Sequence, residues 1–589
     1  MRFYLKYIYK LLIIIGKKKT DLVPLVILFL FTSLFDVLSL GLIAPYIGLI
    51  IDPGILENSK FFPFFGIKIN EDNLKNYIFI FSFVLIFLFF FKTIFAMLVR
   101  WIIVKFAFKQ YTLLQPNLMS VYQKMNYMDF VSRNSTEYIR NIRELCSLCI
   151  VSIEGFLRVI SELIILTVIV VYLCFVNFIA LAVLSLIIGI VLFIYQYYLK
   201  PKTIVYGQKK AEASKLIYQG VDSGIRGFKE IRVLSKENFI TNTIKQGAYE
   251  VYRNEIKAAF IKNSPRYVFE FAIVFFVIAF LISSILIGQQ ANFLLPTIGV
   301  FGVAAIRILP GVSMIVNSLI MINYSHYAAD TVFNDFNKYK SQKNTWNFKN
   351  ANPNKNFDSI NLKDLTFKYP NSEKYVFKNI NFSLKVNECI GIIGESGSGK
   401  TTIIDILLGL IKPVSGQIYI NGKPTGDSFI EWASLVAYLP QDSLIVEDTI
   451  KSNISLESND TEINFHRLKK SIEQANLKKT IDNLPKGINT IVGGEGGIRL
   501  SGGQNKRVAL ARTFYYGKEI LIMDEATSSL DSDAEKFIVD QIKDLKGKKT
   551  IVIVTHKQST LKYCDKIYEI KDEKIIEMSP NLNNNKVHN

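Results

Sequence analysis

Gly394-Glu395-Ser396-Gly397-Ser398-Gly399-Lys400-Thr401 is the stretch on which the reading of this sequence turns. Its glycine spacing and final Lys-Thr are those of a loop whose backbone N–H groups cradle phosphate. Lys400 then reaches the terminal phosphates, and the Thr401 hydroxyl serves Mg²⁺. Residues 390–393 read as a buried strand feeding the loop and 402–410 as the helix after it. Phosphate placed there meets the unsatisfied N–H groups and the positive dipole end of a helix N-terminus. From residue 357 onward strand-like and helix-like runs alternate, an α/β pattern.

Outward from this loop, composition changes. The chain has 589 residues, too many for one core, and half of them are hydrophobic. The mean hydropathy is positive, which fits a membrane protein better than a soluble one. The net charge of +19 suits a nucleic-acid reader in principle. Here, however, positive charge gathers between apolar runs, as in cytoplasmic loops of membrane proteins, so no nucleic-acid partner is expected. Five cysteines over this length make no disulfide framework. Cys146 and Cys149 form a lone Cys-x-x-Cys without the second pair that zinc needs. Residues 1–19 are basic and amphipathic, without a cleavage site, and read as a membrane-surface segment rather than a signal peptide. No acidic residue precedes Asp21, which suits an anionic leaflet.

Six apolar runs are long enough to cross a bilayer: 22–51, 77–106, 153–176, 178–199, 267–286 and 293–322. The third and fourth are separated only by a turn at Asn177. Lys and Arg are concentrated in the N-terminus and in the loops 109–150 and 200–262. The turns after the third and fifth runs have none. Both termini and both long loops are therefore expected in the cytoplasm. Periodic apolar residues predict that the spans continue beyond the membrane as helices, with far turns near 127–134 and 218–228. The predicted organisation is a transmembrane domain over 1–337, a linker over 338–356, an α/β domain over 357–580 and a disordered tail over 581–589.

Leu500-Ser501-Gly502-Gly503-Gln504, ahead of an apolar run that ends Asp524-Glu525, resembles the signature of the ATP-binding cassette (ABC) family. The resemblance implies a six-span helical domain of exporter type followed by a P-loop cassette, with ATP and Mg²⁺ as cofactors and ATP hydrolysis coupled to transport. It places Tyr369 on adenine and Gly394, Glu395, Ser396, Gly397, Ser398, Gly399, Lys400, Thr401 and Thr402 around the phosphates. Gln441 touches Mg²⁺, Asp524 binds it through water, and His556 contacts the γ-phosphate. Glu525 is the candidate general base that polarises the attacking water. Ser501, Gly502, Gly503 and Gln504 complete the site of a second cassette, and Asp531 lies in the dimer-crossing loop Ser528-Ser529-Leu530-Asp531. One cassette and six spans are half the usual complement, so a homodimer is implied. Binding closes the cassettes, hydrolysis reopens them, and the far turns act as coupling helices for alternating access. Asn505 departs from the residues common after the signature.

Ionisable residues fall inside the apolar runs: Asp36, Lys92, Glu162 and Arg307. At about 1.5 Å per residue, Lys92 lies roughly 22 Å and Arg307 roughly 21 Å into its run. An unpartnered charge there costs at least about 2.5–3.5 kcal/mol. Two readings compete: cationic walls that grip an anionic headgroup, or internal ion pairs among these four residues. Arg266 and Glu270 begin the fifth run, where snorkelling to the interface is the simpler account. The stretches around Arg266, Arg307 and Phe91-Lys92 resemble bacterial flippases for lipid-linked oligosaccharides that serve protein glycosylation. That resemblance makes Lys92, Arg266 and Arg307 candidate contacts to a pyrophosphate-bearing lipid in a bacterial cytoplasmic membrane. Lys92 stands where arginine is expected, keeping charge but losing the bidentate fork. A multidrug or lipid-A-type exporter, or a flippase for another polyprenyl-linked polysaccharide precursor, shares the architecture.

Overall fold

The computed structural model describes residues 22–51, 74–286, 291–340, 357–370, 372–425, 430–494, 496–526 and 532–578. They form two compact units. The first comprises Met1–Met125 and Val131–Gln342, and the second comprises Asn126–Phe130 and Lys343–Asn589.

The first unit is helical. Each of the six apolar runs lies in a long helical stretch, carried by Leu22–Ile51, Leu74–Gln123, Cys146–Val176, Phe178–Ile194, Glu237–Leu286 and Ala291–Tyr324. Among the described residues three helices are long and apolar enough to cross a membrane, or four if the pair bent at Ser325 counts as one span. Apolar side chains face outward over whole helix faces, with Phe83, Ile86, Phe90 and Met97 all exposed. Water would not tolerate such a face, whereas lipid would. Asn177 makes the hairpin between the third and fourth runs: extended at φ −158°, it accepts a hydrogen bond from the Ala180 N–H at 3.0 Å and so caps the next helix.

The helices do continue past the apolar runs, but the second far turn lies later than the sequence predicts. Helix Lys200–Arg226 runs straight through 218–226, and the chain turns around the short helix Phe228–Val233. Glycines let these helices pack closely: a Cβ on Gly220 would sit 2.8 Å from Ile244 of the facing helix. Gly207 shows the closest approach, since a Cβ there would lie 1.9 Å from the backbone oxygen of Tyr324. Helix His326–Lys340 also runs into the stretch read as a linker. At the polar end of the unit Asp335 is buried, taking a fork of two 3.0 Å hydrogen bonds from Arg133 and one of 2.7 Å from the Tyr122 hydroxyl.

The second unit is α/β. An antiparallel sheet runs Tyr375–Lys385, Ser359–Lys368, Ser415–Ile420, Lys423–Pro424. The main sheet has the order Lys574–Met578, Lys566–Lys571, Cys389–Gly394, Thr550–Val554, Ile520–Asp524, Val436–Leu439, parallel except at its first strand. Its central strands Ile520–Asp524 and Thr550–Val554 are buried throughout, as uninterrupted apolar runs in parallel sheets must be. Tyr127 and Met128 from the segment Asn126–Phe130 pack against this unit's core, which includes Ile403 and Trp432.

Candidate phosphate site and a buried charge cluster

Topology assembles the phosphate site. Ligands of open α/β sheets bind beyond the carboxyl ends of parallel strands. Four neighbouring strands end here in Gly394, Val554, Asp524 and Leu439, with Val554 in register with both Ile392 and Asp524. Residues 395–401, 555–556, 525 and 440–441 therefore emerge along one edge.

The loop after Gly394 is shaped by glycine. Gly399, at φ +109°, precedes helix Lys400–Leu407, and a Cβ there would lie 2.7 Å from Val376 and 2.9 Å from Phe377. Lys400 folds its ammonium back onto the loop, donating to the carbonyls of Gly394 at 2.7 Å and Glu395 at 2.9 Å. Partial burial lowers its pKa, while Glu525 and Asp524 act the other way, so all three share one electrostatic neighbourhood. The Ser398 hydroxyl is buried without a partner, an orphaned donor inside the cradle. Thr401 is exposed, whereas Thr402 is buried and shares a 3.0 Å hydrogen bond with the Tyr369 hydroxyl. The Tyr369 ring stands edge-on to Phe367 and is 37% exposed, which leaves it open to a stacking base.

Asp524 is 8% exposed and accepts from the Tyr438 hydroxyl at 3.3 Å. Burial raises its pKa above the ordinary carboxylate value. Glu525 has φ +44°, a left-handed conformation uncommon outside glycine. Its N–H is held by Val554 O at 2.9 Å, and its carboxylate accepts from the Gln441 side chain at 2.8 Å. The predicted pair Gln441 and Glu525, 84 positions apart, thus meet directly. His556 is exposed one residue past buried Thr555. Among the described residues no group of three or more His, Cys, Asp or Glu is arranged to hold a metal. Mg²⁺ is suited to such a site, because it keeps waters and substrate phosphates as most of its ligands. Thr401, Gln441 and Asp524 fit as its few protein ligands.

Ser501 caps helix Gly502–Tyr516 through a reciprocal box: its hydroxyl accepts from the Gln504 N–H at 3.2 Å, and Gln504 Oε1 accepts from the Ser501 N–H at 2.8 Å. Ser501 and Gly502 are exposed, and Gly503 is half-buried. Asp531 and its loop, residues 1–19, most of the predicted external segment 52–76 and the tail lie outside the described residues. Sequence reasoning missed Lys506 and Tyr438. Nothing in their spacing marks them: Tyr438 reaches Asp524 from the neighbouring strand, and Lys506 reaches the 440–441 carbonyls from the signature helix.

In the first unit the four intramembrane charges converge. Asp36, side chain 6% exposed, pairs with Lys92 at 2.7 Å and with Arg307 at 3.3 Å. Arg307 also reaches Glu162 at 3.3 Å. The structure therefore has the internal ion pairs of one reading, and they sit in the wall of a cavity as the other requires. That cavity, of about 640 Å³, is lined by Asp36, Lys92, Arg100, Arg158, Glu162 and Arg307 among others. Arg100 and Arg158 both bond to Glu154, the former at 3.1 Å. Neither arginine was singled out from sequence, since each sits where a span end is expected. Arg266 stands apart, paired with Glu270 at 2.8 Å, 75% exposed and lining a second cavity of about 370 Å³.

Comparison with known proteins follows the same lines. Residues 377–528 match the family described as ABC transporter. An ATP-dependent lipid A-core flippase of Ralstonia nicotianae is 34% identical over 220 residues, 37% of this chain and 37% of that protein. ABC transporter B family member 13 of Arabidopsis thaliana is 34% identical over 219 residues, 37% of this chain and 17% of that one. These matches thus span little more than a third of the relatives' own length. A solved bacterial Atm1-family ABC exporter with ATP bound superposes with a TM-score of 0.78 over 95% of this chain and 96% of that one, at 17% identity. The fold is that of an ABC exporter: a helical domain of apolar spans, then an α/β nucleotide-binding domain.

Proposed function

We propose that this chain is one half of a homodimeric ABC exporter that hydrolyses ATP and moves an anionic lipid across a bacterial cytoplasmic membrane. The observation that carries the reading is the hydrogen bond between Gln441 and Glu525 beside Lys400 and Asp524, at the carboxyl edge of the sheet. Backbone N–H groups of residues 394–400 bind phosphate, and Lys400 turns from its loop carbonyls to the terminal phosphates. Thr401, Gln441 and Asp524 would hold Mg²⁺, which would neutralise charge on the phosphates. Glu525 accepts the proton of the attacking water, with the Gln441 amide fixing the carboxylate's orientation. His556 contacts the γ-phosphate, and Tyr369 stacks on adenine.

A second copy supplies Ser501 to Gln504, whose exposed helix start suits phosphate. It also offers cover to the apolar far turn, where Phe228, Val233, Leu234 and Phe239 are each more than two-thirds exposed. In the cavity of the first unit, Lys92, Arg100, Arg158 and Arg307 face three carboxylates, Asp36 and Glu162 in the wall and Glu154 behind two of the arginines, and this one-charge excess of cations favours an anionic headgroup. Lipid A-core, acted on by relatives in name, and the pyrophosphate-bearing oligosaccharide lipid of the flippase resemblance both present phosphate on an acyl or prenyl anchor. The relatives favour the lipid A type.

The test is ATP hydrolysis by full-length protein in proteoliposomes with lipid A-core, polyprenyl-pyrophosphate glycan or neutral glycolipid. Stimulation and translocation are expected for a phosphate-bearing lipid, with lipid A-core ahead. Equal stimulation by the neutral glycolipid would remove the anionic cargo, and no Mg²⁺-dependent hydrolysis at all would remove the enzyme.

A further inference from the structure

Lys506 lies two residues beyond the signature, on the same helix, and is 7% exposed. A buried ammonium must have partners. Its Nζ donates to the carbonyl of Pro440 at 2.9 Å and to that of Gln441. Six residues on, about 9 Å along the helix, Arg512 donates to Leu444 O at 2.8 Å and to Asn453 O at 2.9 Å. The loop that carries Gln441 is thus strapped at both ends to the signature helix. Gln441 in turn donates to Glu525. A continuous chain of contacts runs from Ser501–Gln504 through Lys506 to the proposed base of the same polypeptide.

We infer that Lys506 is a positioning residue: it fixes the Gln441 backbone on the signature helix, so that nucleotide engaged by Ser501–Gln504 at one site adjusts the Gln441–Glu525 pair of the other. The inference rests on the ATPase reading above and deepens it, because it gives the two sites of a dimer a route for coupling. The donor is needed where it is, against two carbonyls to which no other side chain among the described residues donates.

The test uses full-length protein in lipid with two variants. Lys506→Met keeps the stem and removes the donors. Lys506→Gln keeps N–H donors and removes the charge. Phosphate release and binding of a fluorescent ATP analogue are measured on each. A mispositioned base costs turnover rather than affinity, so kcat of Lys506→Met should fall roughly 10- to 100-fold, with ATP affinity within about threefold and cooperativity between the two sites lost. Lys506→Gln should retain most of the turnover. Wild-type kcat in the Met variant overturns the inference, and so does a loss of affinity as large as the loss of kcat. A Gln variant as impaired as Met overturns it too, since charge and not the strap would then matter. If Met fails to fold, the Gln variant's kcat and cooperativity decide alone. Wild-type protein without ATPase activity would instead sink the underlying reading.

Discussion

Replacing Asp36 with asparagine removes one charge from a cluster of four without changing its shape. Asp36 is the hub: Lys92 lies 2.7 Å from it and Arg307 3.3 Å. At an effective dielectric of about 20, these separations correspond to attractions of about 6 and about 5 kcal/mol. Desolvation of the three groups offsets most of that sum. Asp36→Asn then leaves Lys92 without its carboxylate, and Arg307 keeps only Glu162. Breaking a buried pair on one side costs about 3–5 kcal/mol, because the stranded cation stays out of water. Removing that cation as well, in Asp36→Asn with Lys92→Met, should restore about 2 kcal/mol or more. Trp101 lines the same cavity, so its fluorescence during urea unfolding in lipid, with Trp346 and Trp432 replaced by phenylalanine in every variant, reports the region. A double variant no more stable than Asp36→Asn refutes the reasoning: Lys92 would then not depend on Asp36.

Three further outcomes are expected. Glu525→Gln should lower phosphate release by about 10²–10⁴-fold while ATP still binds; hydrolysis near the wild-type rate would take Glu525 out of its role. Gly207→Ala forces a methyl against the Tyr324 carbonyl oxygen and should destabilise the helical unit by about 1–3 kcal/mol, seen as a lower melting midpoint in detergent; an unchanged midpoint contradicts the close crossing. Burial, with the Asp524 charge second, pushes the Asp405 carboxyl from 3.8 up to about 6. The folded chain then holds this proton more tightly than the unfolded one, so the cost of its charge is absent below about pH 4, grows between 4 and 6, and is complete above 6. Asp405→Asn should therefore stabilise the nucleotide-free protein by roughly 3 kcal/mol at pH 8 and hardly at all at pH 4, measured by unfolding at the two pH values.

Most of the cassette was readable before any coordinates, because its chemistry is local. The residues proposed to bind phosphate are consecutive at 394–402, and the apolar strand that delivers Asp524 and Glu525 is continuous. Each of the six apolar runs falls in a helix, and among the described residues three of those helices, or four with the bent pair, are long and apolar enough to cross a membrane. What stayed hidden involves partners distant in sequence. Asp36 meets Arg307 across 271 positions, which no periodicity encodes. Lys506 is one of several cations on its helix, and only the fold lays the 440–441 carbonyls against it. Apolar periodicity does not mark where a helix ends, so the second far turn reads too early, and helix Lys200–Arg226 runs through it. Tyr127 and Met128 belong to the far turn read at 127–134, which the family resemblance makes a coupling helix, and they pack on the α/β core.

Glu525 occupies a left-handed backbone position, φ +44°, that glycine would fill with less strain. Such positions cost about 1–3 kcal/mol each. Selection for heat resistance alone should therefore drift toward glycine there and enrich robust but inert proteins. Any campaign to toughen this chain for handling has to hold that codon fixed, or it will harvest the dead.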